Sequence, residues 1–408
     1  MSEKNRNAAS QRSGGQRGRT DAPVPQAPVK KKKKGTFGRI VRRFFLVLFT
    51  LVILILVALC LVMNLIFHGP SPAAREILTM SLLEPSATKW IPGLFLDDET
   101  LSAIRNGSGV EMEENLTNTS MITIDKTGSL SGSSDEWAGH PDGVYFVDYA
   151  GSTFNAHIMI VRDPSQVYMG LSTPKFSTSI PGKRLNEVMA EADDSIIAAV
   201  NAGAFNDDGT ANSYVGSVPA GIVFSEGSFI CNDYRRNIPI AETGGGFVGF
   251  NDDDILVVAK SITVEHAEAL NIRDGCEFGP PLIINGEVNM EAYNKASGWN
   301  PRTAIGQRLD GAVIFVCIDG RQAGSPGGTY KDVIDIMLEY GAYNAANLDG
   351  GSSSVMLYRD TYGLYKDDEK YKNKEVCEGV LMMNEYSVLQ SQPRRMPNYW
   401  LVRTASEG

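Results

Sequence analysis

The sequence predicts an α+β fold, a mixed or antiparallel β-sheet core with a few packed helices, preceded by one transmembrane helix. Three observations predict it. Short apolar runs bounded by turn residues recur at Val144–Val147, His157–Val161, Ile196–Val200, Gly221–Phe224, Ile255–Val258, Leu282–Ile284 and Ala312–Ile318. Only two stretches of the same region carry apolar residues at helical spacing, so the regular strand–helix alternation of a parallel sheet is missing. Upstream, Phe44 to Phe67 is a 24-residue segment without a charge.

That apolar segment sets the organisation of the chain. At ~1.5 Å per residue a helix of this length reaches ~36 Å, enough to cross a bilayer with some tilt. It exceeds the ~7–15 residue apolar stretch of a signal peptide, so a retained anchor is expected rather than a cleaved leader. Lys30 to Lys34, Arg39, Arg42 and Arg43 precede it. The positive flank predicts a single-pass cell-membrane protein with a cytoplasmic N-terminus and an extracellular domain. Residues 1–43 hold thirteen Lys and Arg against Glu3 and Asp21, and read as a disordered basic cytoplasmic tail. Residues 44–67 are the transmembrane helix. Residues 68–115 read as a juxtamembrane stalk with one short helix near Ala73–Leu83, and residues 116–405 as one extracytoplasmic domain. Beyond residue 43 the chain carries 25 basic and 46 acidic residues, a balance of −21. Such an acidic body argues against nucleic acid as a ligand.

Within the domain, Arg184–Ala192 places Leu185, Val188, Met189 and Ala192 on one helical face. Lys331–Tyr340 does the same with Val333, Ile336, Met337 and Tyr340. Thr329 with Asp332 three residues later is a capping-box start, and Gly341 a stop. Cys60 falls in the apolar segment. Cys231, Cys276, Cys317 and Cys377 lie far apart with no CxxC pair, which excludes a zinc-ribbon pattern and a dense disulfide scaffold. Cys317, inside the strongest apolar run, reads as a buried strand residue, and one disulfide among the others stays open.

Four Gly-rich clusters follow candidate strands, where a rigid scaffold presents polar groups to a cleft. They are the run NAGAF at 201–205 followed by Asn206, the run NPRTAIG at 300–306, Asp319-Gly320-Arg321, and the run NLDGGSSS at 347–354. The last packs a carboxylate, two glycines and three hydroxyls into a sharp turn, which can aim N–H groups and hydroxyls at an anion beside an acid. Arg302 is suited to clamp a phosphate in two-point contact. Asp319 and Asp349 can supply acid and base for glycosidic cleavage, provided that they and Arg302 line one pocket. Asn201 and Asn206 can bond sugar hydroxyls, and Gly203, Gly350 and Gly351 permit close approach of backbone to ligand. Each residue also has a structural reading: Asp-Gly pairs make hairpin turns, an Arg can be a structural ion pair, an Asn can cap a turn. His157, at a strand start, is the one histidine placed near a cleft. No required cofactor and no dedicated metal-ligand spacing is visible, although carboxylates and hydroxyls beside a phosphate are chemically compatible with a divalent cation. The segment 324–331 lacks the ending of a phosphate loop, and no Gly-x-Ser-x-Gly elbow surrounds Ser352, Ser353 or Ser354.

Taken in order, NAGAF (201–205), PAG (219–221), NPRTAIG (300–306), the apolar run ending in DGR (319–321) and NLDGGSSS (347–354) resemble the phosphodiester glycosidase (NAGPA) domain family over roughly residues 150–385. Bacterial members are often labelled exopolysaccharide-biosynthesis proteins. The resemblance implies hydrolysis of a sugar-1-phosphodiester. It implies catalytic positions at Asp349, Asp319 and Arg302, and substrate-binding positions at Asn201, Gly203, Asn206, Thr303, Arg321, Gly350, Gly351, Ser352 and Ser353. Roles as acid, base or nucleophile are not assigned by it. The basic tail and anchor are similar to those of bacterial wall-assembly enzymes. Three functions are compatible with these residues. The first is a glycosidase acting on phosphodiester-linked surface glycans. The second is a transferase using the same site on a sugar-phosphate polymer. The third is a non-catalytic glycan-binding module, which the scattered Trp90, Trp137, Trp299 and Trp400 do not favour.

Overall fold

The computed structural model of the chain describes residues 36–83, 88–106, 116–125, 136–205, 215–231, 245–386, 390 and 392–404. The chain divides into two compact units, Met1–Leu61 and Val62–Gly408. A single helix, Thr36–His68, runs through the division. Its stretch Val41–His68 is long and apolar enough to cross a membrane. Large apolar side chains from Phe44 to Leu65 are exposed on every side of it, the pattern of a helix whose solvent is lipid or that precedes cleavage.

The second unit is built on antiparallel sheets, as the α+β reading expects. The largest has the strand order Val144–Ala150, Asn155–Val161, Val313–Ile318, Arg302–Arg308, Ala342–Leu348, Pro281–Ile284, Glu287–Val288. Its strand Val313–Ile318 is buried throughout, which is why it reads as an unbroken apolar run. Val313, Phe315 and Cys317 enter one core, while Ile314, Val316 and Ile318 enter another. The second core is closed by the helix Tyr330–Glu339 through Val333, Ile334, Ile336 and Met337. Thr329 and Asp332 form the expected capping box there, and Gly341 leaves the helix at φ +82°.

The first core is shared by two smaller sheets. A six-stranded sheet contributes Met169, Val200, Met356, Trp400 and Val402, and a five-stranded sheet contributes Val223, Val248, Phe250 and Val258. Each has a helix on its outer face. Leu185–Glu191 brings Leu185 and Met189 against Ala199, Leu357 and Leu401, and Val264–Ala269 brings Ala267 against Val257 and Ile272. Three sheets thus surround one interior, and their strand ends meet on one side.

Several strands were not visible as apolar runs. Arg302–Arg308 reads RTAIGQR and Ala342–Leu348 reads AYNAANL, yet both lie in the middle of the large sheet. Their polar side chains are buried because they replace missing main-chain partners. Gln307 Oε1 accepts from Leu256 N at 2.6 Å, and its Nε2 donates to Asp254 O and Gly311 O at 2.8 and 3.0 Å. Asn344 Oδ1 accepts from Asn285 N at 2.8 Å. Cys276, Cys317 and Cys377 are free thiols, and burial pushes the Cys317 thiol well up.

Pro72–Leu83 is the short helix expected after the apolar segment, and a second, Asp98–Asn106, follows it. The former is not a free spacer. Ser81 Oγ accepts from Trp299 N at 2.6 Å.

Replacing Gln307 by Leu should leave three main-chain groups unpaired in the interior. We expect a loss of about 3 kcal/mol, read as a lowered midpoint in thermal unfolding of the detergent-solubilised chain. An unchanged midpoint would show that these bonds do not hold the sheets together.

Candidate active site

The sheet register lines up the site. His157, Cys317, Thr303 and Leu348 occupy one row across four adjacent strands of the large sheet. Within two residues, two of those strands give way to the loops that begin at Asp319 and Asp349. On the six-stranded sheet, Asn201 stands opposite Tyr399 at the same end.

Pro301 is the point on which the loops close. A Cβ on Gly320 would lie 2.5 Å from Pro301 N, and one on Gly350 would lie 2.8 Å from Pro301 O. Only a residue without a side chain fits on either side of this proline. Gly351 N then donates to Pro301 O at 2.8 Å, and a 3₁₀ turn follows over Gly351–Ser353. Gly351 has φ +63°, and a Cβ there would sit 3.0 Å from Arg321 Nη2. The Arg321 guanidinium therefore lies against the Gly-rich turn, and it also donates to Asn300 Oδ1 at 3.2 Å. Arg321 itself is held at φ +59°, an uncommon conformation for a residue with a side chain. Asp349, Gly350, Gly351, Ser352 and Arg321 are all partly exposed. Beneath them, Asn300 Nδ2, Ser353 Oγ and Ser354 Oγ are buried polar atoms with no hydrogen-bond partner among the described residues. Unpaired donors and acceptors collected on converging loops are groups a polar ligand would satisfy.

Other predicted residues have structural partners. Asn201 is fully buried: its Nδ2 donates to Asp349 O at 2.5 Å, and its Oδ1 accepts from Thr303 Oγ1 and Val355 N at 2.9 and 3.1 Å. Asn201 and Thr303 thus hold the Asp349 turn in place. A Cβ on Gly203 would lie 2.8 Å from Cys276 Cβ, so Gly203 lets the bend after Asn201 approach the strand Ile272–Glu277. Asn206 lies outside the described residues.

Arg302 and Asp319 lie on opposite faces of the large sheet. Arg302 pairs with Ile318 and shares its face of the sheet, the face covered by Tyr330–Glu339. There its guanidinium donates to Gly328 O, Ser297 O and Gly298 O at 3.2, 2.6 and 3.1 Å and lies over the Tyr330 ring at 4.5 Å. It shapes the loop before Pro301 and does not present a free phosphate clamp. Asp319 turns to the opposite face, where it is 2% exposed. Its Oδ1 accepts from Glu385 N at 2.7 Å and its Oδ2 is 3.1 Å from His157 Nε2.

His157 has a second carboxylate. Asp148 Oδ1 is 2.9 Å from His157 Nδ1, and Lys370 Nζ pairs with the same oxygen. Burial alone would lower the His157 pKa, but hydrogen bonds to Asp148 and Asp319 and the charge of Asp319 raise it above the ordinary histidine value, against the nearby Lys370. The bond to His157 in turn holds Asp148 well below the usual carboxylate range. Asp148 was missed from the sequence. The hairpin centred on Ser152-Thr153 places residue 148 opposite residue 157, and that symmetry was the available signal. Among the described residues, no group of three or more His, Cys, Asp or Glu is arranged to hold a metal ion.

The phosphodiester glycosidase family model, NAGPA, matches residues 194–403, and the chain belongs to this family. It is 30% identical over 125 residues to the SPbeta prophage-derived uncharacterized protein YomE of Bacillus subtilis, covering 29% of this chain. The match spans 19% of that relative's length. Among solved structures, it is similar to the zebrafish N-acetylglucosamine-1-phosphodiester alpha-N-acetylglucosaminidase catalytic domain auto-inhibited by its pro-peptide. There the identity is 19% and the TM-score 0.46, over 64% of this chain and 82% of that one. A hypothetical protein from Synechocystis gives 16% identity and a TM-score of 0.44, over 65% and 62% of the two chains.

The charged histidine makes a pH-dependent contribution to stability. Because its folded pKa is raised, the contribution is complete below the unfolded value of about 6.5 and is lost as pH rises through the folded pKa. We expect His157→Gln to destabilise the chain by about 2 kcal/mol at pH 6, the modest figure reflecting the half-exposed Asp148 partner. The deficit should shrink in unfolding curves taken at pH 8 to 9. A deficit that grows with pH would mean the ring is neutral in the native state.

Proposed function

We propose that this chain is a membrane-anchored, extracytoplasmic glycosidase that hydrolyses sugar-1-phosphodiester linkages, GlcNAc-1-phosphodiester-like, in cell-surface polysaccharides. The observation that carries the reading is the convergence of Arg321, Asn300 and the Asp349–Ser352 turn on Pro301, inside the region matched by the family. The apolar helix behind a basic flank supports anchoring, with the N-terminus cytoplasmic.

The chemistry follows from the leaving group. A phosphate monoester with its second pKa near about 6 departs as an anion without much help from an acid. The site must then activate water and neutralise the departing charge. The Asp349 carboxylate is the partly exposed acid of the turn that meets Arg321 at Gly351, whereas Asp319 is buried and already bonded to His157 and Glu385. Asp349 takes a proton from water as the water oxygen bonds to the anomeric carbon. The carbon–oxygen bond to phosphorus breaks, and its electron pair leaves with the phosphate monoester, which Arg321 holds. Ser352 and the buried, unpaired Ser353 hydroxyl would bond the phosphate oxygens. Asn201, Thr303 and Arg302 position the loops.

Asp349→Asn should reduce turnover of a GlcNAc-1-phosphodiester by about 10²–10⁴-fold while the circular dichroism spectrum stays that of the parent. Arg321→Lys, which loses the two-point geometry, should cost at least about tenfold. Near-parental turnover by Asp349→Asn would remove this carboxylate from the reaction. Product analysis with and without an acceptor glycan separates hydrolysis from transfer.

A further inference from the structure

The segment that follows the apolar helix is built into the wall of the site. Phe67, in the last turn of that helix, is fully buried and stacks on Phe95 with ring centroids 5.0 Å apart. The helix Pro72–Leu83 comes next, and Thr88 Oγ1 donates to Leu82 O at 2.9 Å, so residues 88–95 fold back from its end toward Phe67. The same helix end holds the loop before Pro301. Trp299 N donates to Ser81 Oγ, and Gly298, at φ +72°, passes so close that a Cβ would lie 2.3 Å from Ser81 N. The next two residues are Asn300, which accepts from Arg321, and Pro301, which accepts from Gly351. The path from the apolar helix to the phosphate-binding turn is therefore short and made of packed contacts.

Three large apolar side chains stand exposed along this path, among charged neighbours such as Lys89 and Asp97. Trp90 is 62% exposed, Leu94 67% and Trp299 40%. Trp90 and Trp299 both flank the Ser81–Leu82 end of the helix, and Leu94 adjoins the Phe95 that stacks on Phe67. Tryptophan side chains at the mouth of a membrane helix are suited to the headgroup layer, where an apolar ring and a polar N–H are both satisfied.

We propose that Trp90, Leu94 and Trp299 seat the domain on the bilayer headgroup layer and hold the Pro301 site against it, so that the enzyme acts on sugar-1-phosphodiesters carried on a membrane lipid. The catalytic half rests on the hydrolase reading above; the seating does not. In the lipid-borne substrate the sugar C1–O bond breaks, water supplies the new hydroxyl, and the lipid phosphate monoester stays in the bilayer.

The test uses the full chain in proteoliposomes. Brominated phospholipid should quench part of the tryptophan emission, and Trp90→Phe/Trp299→Phe should abolish that component, since Trp137 and Trp400 are buried. In the same vesicles, a lipid-borne sugar phosphodiester and a short water-soluble one are offered in turn. Trp90→Ser/Leu94→Ser should lower kcat/KM for the lipid-borne substrate at least fivefold and leave the soluble one unchanged. Absence of quenching overturns the seating, and an equal effect on both substrates overturns the preference for lipid. Failure of the parent chain to cleave either compound would instead sink the hydrolase reading, with quenching still judging the surface.

Discussion

The side chain of Asn201 is the joint on which the site depends. It is fully buried at the end of a strand of the six-stranded sheet, and all of its bonds cross to other segments. It reaches the main chain of Asp349, the hydroxyl of Thr303 and the main chain of Val355. Thr303 belongs to the large sheet, and Val355 begins the return into the six-stranded one. One amide therefore fixes the distance between two sheets at the place where the Gly-rich turn leaves them. No apolar side chain could do this, because three polar groups would be left unpaired in the interior. The turn is positioned by rigid elements and not by its own sequence, which is the arrangement a precise site needs.

That joint explains how much of the site was legible. The motif order identified the family, and Asp349, Gly350, Gly351, Ser352 and Arg321 do gather on one set of loops. The motifs could not say which polar residues face outward. Asn201 and Arg302 sit in the same motifs as the exposed residues, yet their donors are used by backbone carbonyls or by neighbouring side chains. Facing is decided by sheet register, and register was hidden because the strands carrying these residues do not look like strands. Arg302–Arg308 and Ala342–Leu348 lack the β-branched pattern and gain their place from tertiary hydrogen bonds through Gln307 and Asn344. The apolar strands, the capped helix Tyr330–Glu339 and the membrane-length helix were legible, because burial on both faces, caps and uniform hydropathy are local signals.

The two arginines divide two tasks the sequence could not separate. Arg302 shapes the loop from the helix-covered face of the large sheet, bonded to three carbonyls and stacked on Tyr330. Arg321 reaches the same loop from the other side through Asn300. The first has the partners of a structural guanidinium. The second lies beside a turn with partly exposed N–H and hydroxyl groups. A charge that is to meet a phosphate must stay accessible, and a charge that only braces a loop need not.

The acidic body poses an electrostatic question for the proposed action on phosphodiesters. A balance of −21 outside the basic tail would repel an anionic substrate if charges acted over the whole molecule. At physiological ionic strength they are screened within about 8 Å, so only groups at the turn decide whether phosphate is held. Nearby, the buried Asp319 faces a histidine whose pKa is raised and the half-exposed Asp148 faces Lys370, so both carboxylates have a basic partner. At the Gly351 turn the local field is then set by Arg321 and main-chain N–H groups against the Asp349 carboxylate. Under the proposed function, substrate capture would be short-ranged, and a substrate delivered along a surface would have the advantage over one that must approach through the bulk field of an acidic protein.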